Sequence, residues 1–285
     1  MDKRVPLLQD VSNTMLITLY ARAYESKQKD PILHDDKAVE MIELIKQELV
    51  GSSNPIHQKI LKDQHNHFLT VSMALRSRRF DRYVTEFMQR FPAGTVINMG
   101  CGLDTRFDRV DNGQIHWFDI DLPGVIELRK RFMQESERRK FISASVTEPG
   151  WVAQVRKGTP TLFLAEGLFM YLQEADVKTL LATIEREFAP AELVCEVTNL
   201  YWVERMNTPY LKLKFSRQLG MTGGAVFSFG VADSRTFETW SPHYHLVDEW
   251  TYFDDNEKRM GWMAALMGKF ASLRKTQWTV KYKVE

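Results

Sequence analysis

Residues Thr95 to Arg106 read T-V-I-N-M-G-C-G-L-D-T-R, and the fold follows from how that stretch is read. Val96, Ile97 and Met99 form a short apolar run that passes directly into Gly100, Cys101 and Gly102. A buried strand looks this way when it ends in a turn where backbone must come close to something else, because glycine has no Cβ and accepts left-handed dihedrals. A second strand-like run, I-H-W-F-D-I-D from Ile115 to Asp121, ends in carboxylates, and because a regular strand would turn Asp119 and Asp121 to one face where they repel, the strand is expected to end between them. They fall about 20 residues after the glycines, the spacing at which an acid on the neighbouring parallel strand can meet the hydroxyl pair of a ribose.

Two readings of the pair remain open: an ordinary glycine turn, or the cradle of a nucleoside-containing cofactor. The dinucleotide fingerprint places a third glycine where this chain has Thr105, and Asp104 stands where a pyrophosphate would lie. A carboxylate there repels a phosphate and attracts a cation, so the loop suits a ligand bearing an ammonium or sulfonium group. S-adenosylmethionine carries both.

At 285 residues the chain can bury a substantial core. Its 38 Lys and Arg against 37 Asp and Glu leave no global field to draw in nucleic acid or an anionic membrane. The basic runs Arg76 to Arg79 and Arg129 to Arg139 have helical spacing and read as solvated helix faces. No apolar stretch is long enough to span a bilayer, and Met1 to Leu8 lacks the apolar segment of a secretory signal, so a cytoplasmic enzyme is expected. Two cysteines, Cys101 and Cys195, fit a reducing compartment, with Cys101 read as a small packed turn residue rather than a reactive thiol. His57, His65 and His67 do not share a helix face, and no metal is expected.

The remaining chain is organised around that loop. Helices are expected over Ser12 to Glu25, over Lys37 to Val50 closed by Gly51, and around Phe80 to Phe91 ended by Pro92. From Thr95 strands and helices alternate, the mark of a parallel sheet covered on both faces. Strands are expected near Phe141, over Thr161 to Ala165, and over Leu193 to Val197. Helices are expected over Pro123 to Gln134 and Asp176 to Phe188. Asn199 to Gly230 breaks the alternation and reads as a lid or as ordinary core. Met260 to Leu273 reads as a helix, and Trp278, Val280, Tyr282 and Val284 alternate as in a strand inserted antiparallel. We expect one domain: a helical cap over residues 1–92, a cofactor-binding core over 93–198, an insertion over 199–230, and completion of the sheet over 231–285.

Four segments, A-L-R-S-R-R-F-D (Ala74 to Asp81), N-M-G-C-G-L-D-T-R (Asn98 to Arg106), F-D-I-D-L-P-G-V (Phe118 to Val125) and L-A-E-G-L-F-M-Y-L (Leu164 to Leu172), stand in the order shown by the leucine carboxyl methyltransferase family. The chain resembles that family, and in particular its bacterial polyketide O-methyltransferase branch. The resemblance implies an α/β Rossmann-like methyltransferase fold, a mostly parallel seven-stranded sheet with its last strand antiparallel, and S-adenosylmethionine as donor. It implies that Arg76 binds the methionine carboxylate, that Gly100 and Gly102 let the loop backbone approach the methionyl part, and that Asp121, with Asp119 close by, takes the ribose hydroxyls. Glu166 and Tyr171 would stand at the transfer site, and Arg22 would assist the carboxylate. Ser145 and Val146 occupy the place where the family usually shows Asp-Leu against adenine, so an uncharged hydroxyl replaces an acid unless Glu148 substitutes.

Methyl transfer from a sulfonium is an in-line displacement in which the donor is already activated. An ionised carboxylate acceptor needs no base, whereas a phenol or alcohol benefits from one; His243, His245 and Glu166 are the candidates. The expected partner is a small-molecule methyl acceptor, with no nucleic acid and no membrane, for a monomer or homodimer. A protein C-terminal carboxylate is the alternative acceptor, and a nicotinamide oxidoreductase or a silent binding module the alternatives of another class.

Overall fold

The computed structural model describes residues 11–64, 66–208, 227–261 and 266–285. Four helices come first: α1 (Val11–Ser26), α2 (Asp36–Leu49), α3 (Pro55–Leu61) and α4 (His67–Arg90). The sheet then follows in alternation, with β1 (Thr95–Met99), α5 (Arg106–Val110), β2 (His116–Asp121), α6 (Pro123–Lys130), β3 (Arg139–Ser143), β4 (Thr161–Ala165), α7 (Glu174–Phe188) and β5 (Ala191–Thr198). A short α8 (Leu200–Met206) precedes β6 (Tyr244–Trp250) and β7 (Gln277–Val284).

The seven strands lie in the order β3-β2-β1-β4-β5-β7-β6. β1 to β5 run parallel, and β7 enters antiparallel between β5 and β6. Parallel strands covered on both faces read as continuous apolar runs, and β1 and β4 are buried at every position. Alternate residues feed opposite layers. Val96 packs with Phe80, Val84 and Phe87 of α4, whereas Ile97 and Met99 join the larger core that holds Phe163, Trp151 and the inward face of β7.

Three expectations need correction. The helix expected over Met260 to Leu273 is broken. A 3-10 turn covers Lys258–Met260, Gly261 stands at φ +84°, residues 262–265 lie outside the described residues, and the helical residues 266–267 are separated by a turn at 268–270 from a short helix over Ala271–Arg274. The basic runs are not solvated faces at their key positions. Arg76, Arg129 and Arg139 are buried at 7%, 1% and 3% exposure, each paired with acids. Finally, β2 does not end between Asp119 and Asp121; both belong to the strand. Arg129 and Arg139 at 2.7 and 3.2 Å neutralise Asp119 and remove the repulsion that argued for a break. Of the insertion expected over 199–230, α8 and residues 227–230 are described, and residues 209–226 lie outside the described residues.

Candidate active site

The registers bring the loops after β1, β2, β3 and β4 to one edge of the sheet. Met99 pairs with Ile120, Asp121 with Ser143, and Asn98 with Leu164. In parallel α/β sheets this carboxyl edge is where ligands sit. The glycine loop folds back onto β2: the Gly100 and Cys101 N–H groups donate to the Ile120 carbonyl at 2.9 and 3.2 Å. Gly102 N–H donates to Asp121 Oδ2 at 2.8 Å. Gly100 and Gly102 stand at φ +64° and +48°, in the left-handed region. A Cβ on Gly100 would lie 2.8 Å from Leu168 Cδ1, so this turn requires glycine.

Above the loop lies a cavity of about 280 Å³. Its walls come from α1 (Met15, Thr18, Arg22), from α4 (Met73, Arg76) and from the segment after β4 (Glu166, Gly167, Tyr171), with Gly100, Gly102 and Asp104 as floor. Arg76, Gly100, Gly102, Glu166 and Tyr171 are therefore brought together, 95 residues of sequence apart at the extreme.

Beneath the cavity runs a continuous ladder of alternating charge. Glu196 accepts from Arg76 Nη1 at 2.9 Å, and Arg76 Nε donates to Glu166 at 2.7 Å. Arg106 links Glu166 (2.5 Å) to Asp104 (2.5 Å) and Asp81 (2.7 Å). Arg109 joins Asp81 (2.8 Å) to Asp35 (2.7 Å), and Asp35 ends on Arg22 at 2.9 Å. Asp35 also caps α2 through Ala38 N–H and accepts from Thr105, so the cap helices are fastened to the glycine loop by the same carboxylate. Burial would push the Glu166 and Asp35 carboxyls up, but the guanidiniums beside them outweigh it and hold both below the usual range. Asp104 is depressed further for the same reason, with Arg106 and Arg109 prevailing over burial.

The sites on β2 and β3 divide. Asp119 is 0% exposed and saturated by Asn98, Trp117, Arg129 and Arg139, which leaves it no capacity for a ligand and makes it a support of the loop. It acts through Arg129, whose Nη1 donates to the Gly102 carbonyl at 3.0 Å. Asp121 is only half-buried, and its side-chain oxygens accept from the N–H groups of Gly102 and Leu122. A carboxylate offers about four acceptor sites, so it keeps capacity for hydroxyls. Ser145 is half-buried and paired with Thr147 at 2.7 Å. Val146 packs into the core with its carbonyl on Trp151 Nε1, and Glu148 is exposed beyond them.

The candidate bases fare differently. Tyr244 pairs with Val284, which pairs with Ala191 at the start of β5, so His243 and His245 stand at the amino edge of the sheet. Five residues of strand, roughly 16 Å, separate that edge from the level of Glu196. Both imidazoles are half-exposed, facing Glu185 and Glu285, and neither lines the cavity. Glu166 lines it with both oxygens engaged. Burial pushes the Tyr171 phenol and the Cys101 thiol up, so both keep their protons at neutral pH.

Arg106, Asp81, Asp35, Arg109, Glu196 and Tyr252 were not singled out from sequence. The signal for Glu196 was present: an acid inside the apolar run L-V-C-E-V requires a buried partner.

The family model described as Leucine carboxyl methyltransferase matches residues 15–185. The tetracenomycin polyketide synthesis O-methyltransferase TcmP of Streptomyces glaucescens is 30% identical over 281 residues, covering 96% of this chain and 97% of that protein. A Gibberella zeae S-adenosyl-L-methionine-dependent methyltransferase, dpfgK, is 27% identical, covering 95% and 93%. In fold, a duf574 family protein of Streptomyces avermitilis superposes with a TM-score of 0.57 at 10% identity, covering 95% of this chain and 97% of that one. The glycine cradle and the free acceptor capacity of Asp121 fit an adenosine joined to an amino acid, and an acid-lined floor fits a sulfonium. On the family model and the near full-length relative, the chain belongs to the leucine carboxyl methyltransferase family, whose methyl donor is S-adenosylmethionine.

Proposed function

We propose that the protein moves the methyl group of S-adenosylmethionine to an oxygen of a small-molecule carboxylate, in secondary metabolism. One observation carries the choice of a carboxylate over a hydroxyl: among the described residues lining the cavity, none is a free base. Asp104 and Glu166 are held ionised by arginines, and Tyr171 and Cys101 stay protonated. A carboxylate acceptor is already ionised at pH 7 and asks only for alignment and exclusion of water.

In this reading Asp121 takes the ribose hydroxyls, and the Gly100–Gly102 backbone lies against the methionyl part. Arg76 meets the methionine carboxylate; the ladder uses two of its five N–H groups on Glu166 and Glu196. Asp104 and Glu166 face the positive end of the donor. Met15, Met73 and Met170 supply adaptable apolar wall, which suits a polyketide-like acceptor. The donor, when bound, supplies the methyl cation equivalent; the chain's own residues orient it and keep water away.

Calorimetric titration with S-adenosylmethionine and with NADH tests the donor, and tight binding of NADH alone rejects the reading. Transfer of isotope-labelled methyl to a panel of carboxylic acids, phenols and peptide tails tests the acceptor. Label released as methanol by mild alkali marks an ester. Label stable to alkali marks an ether and overturns the carboxylate assignment, and label found only on peptides selects a protein C-terminus instead.

A further inference from the structure

Every acid and base in the ladder below the cavity can be assigned a charge from its contacts. Glu196, Glu166, Asp104, Asp81 and Asp35 are the carboxylates; Arg76, Arg106, Arg109 and Arg22 are the guanidiniums. Five against four leaves one negative charge over, among the described residues. The excess belongs at the Glu196 end. Asp35 shares Arg22 and Arg109, Asp81 shares Arg106 and Arg109, and Glu166 shares Arg76 and Arg106. Asp104 has Arg106, with Arg109 at 3.7 Å. Glu196 has only Arg76, which it shares with Glu166.

Its remaining contacts are donors without charge: the Tyr252 hydroxyl on Oε1 and the Gln277 side chain. Glu196 is 0% exposed, so no water or counter-ion makes up the difference. Burial pushes its carboxyl up against the pull of Arg76, Tyr252 and Gln277, as expected of an under-compensated anion. Glu196 does not line the cavity, but Arg76, Glu166 and Gln277, which surround it, all do.

The donor and its product differ in the quantity this ladder senses. With its ammonium, carboxylate and sulfonium, S-adenosylmethionine carries one net positive charge; S-adenosylhomocysteine, after the sulfonium has become a thioether, carries none. We propose that Glu196 is a specificity-determining residue that favours the cationic donor over the neutral product, through the unbalanced charge it places behind Arg76 and Glu166. Donor binding neutralises the ladder, and methyl transfer restores the imbalance and loosens the product. This rests on the donor assigned under the proposed function.

The test is a titration of wild type and Glu196→Gln with S-adenosylmethionine and S-adenosylhomocysteine at pH 7 and pH 9, since a carboxyl pushed up by burial is more fully ionised at the higher pH. A unit charge about 12 Å away, across protein of effective dielectric near 20, shifts the affinity of a cation about tenfold. The preference for donor over product is expected to fall by about that factor in Glu196→Gln, while the product's own dissociation constant changes little. Tyr252→Phe keeps the charge and removes only a hydrogen bond, so its preference is expected to match wild type. Equal loss of both ligands in Glu196→Gln, with the preference preserved, overturns the proposal and leaves the methyltransferase reading intact; failure of wild type to bind either ligand overturns that reading instead. Should Glu196→Gln not fold, wild type is compared against a donor analogue with an amine in place of the sulfonium. Tighter binding of that cation than of S-adenosylhomocysteine supports the proposal, and equal affinity overturns it.

Discussion

Removing the guanidinium of Arg106 examines the ladder where it is most connected. Arg106 is 1% exposed and bridges Asp81, Asp104 and Glu166. In Arg106→Ala, Asp81 keeps Arg109 and Glu166 keeps Arg76, but Asp104 is left with the backbone N–H of residue 106 at 3.0 Å, Asn98 Nδ2 at 3.2 Å and Arg109 at 3.7 Å. Breaking a buried pair by removing one partner costs about 3–5 kcal/mol, a large part of the ~5–15 kcal/mol that holds a domain together. The pH dependence weakens as well. In wild type the folded-state values of Asp104, Glu166 and Asp35 lie below their ordinary ones, so their contribution is complete above about pH 4–5 and is lost as pH falls through the depressed values. In the variant Asp104 loses the largest of the charges that oppose burial but keeps Arg109, Arg22 and Arg129 nearby, so its folded value moves up toward the ordinary one. Arg106→Ala is therefore expected to gain less stability than wild type between about pH 3 and pH 7. Urea unfolding followed by tryptophan fluorescence at both pH values reads this out. A loss under about 1 kcal/mol, the range of an exposed pair, or a pH profile parallel to wild type would refute the reasoning.

Two further outcomes follow from geometry. Gly100→Ala is expected to lose donor binding and about 1–2 kcal/mol of stability, from the left-handed backbone at φ +64° and the approach to Leu168; donor titration and thermal melting check it, and an unchanged affinity removes the loop from the site. The double variant His243→Ala, His245→Ala is expected to leave the methyl-transfer rate within about twofold of wild type, since both rings stand at the far edge of the sheet; a rate loss of tenfold, ~1.4 kcal/mol in the barrier, would show that one of them reaches the acceptor.

Much of this architecture was legible because parallel strands leave a plain signature. Thr161 to Ala165 was read with the bounds the structure shows, since an apolar run between Pro160 and Glu166 has no other use. The glycines read as a backbone requirement and Asp121 as an acid at a set spacing from them, and Gly102 N–H on Asp121 Oδ2 shows that the two segments meet. What escaped were interactions made by long side chains across distant segments. The arginines of the basic runs looked solvated because helical spacing does not say which face is buried. Arg76 and Arg129 turn inward only because Glu166, Glu196 and Asp119 wait there. The turn at residues 268–270 escaped too, because apolar residues on several sides of Met260 to Leu273 resemble a buried helix.

The placement of β7 has a consequence for assembly. β6 touches the sheet only through β7, and β7 closes the gap only if β5 is already in position. Residues 244–250 therefore have no partner in the sheet until residues 277–284 are in place. In that interval Cys195 and Glu196 stand on an open edge, and the negative end of the ladder becomes sheltered only when the final strand slides home beside it.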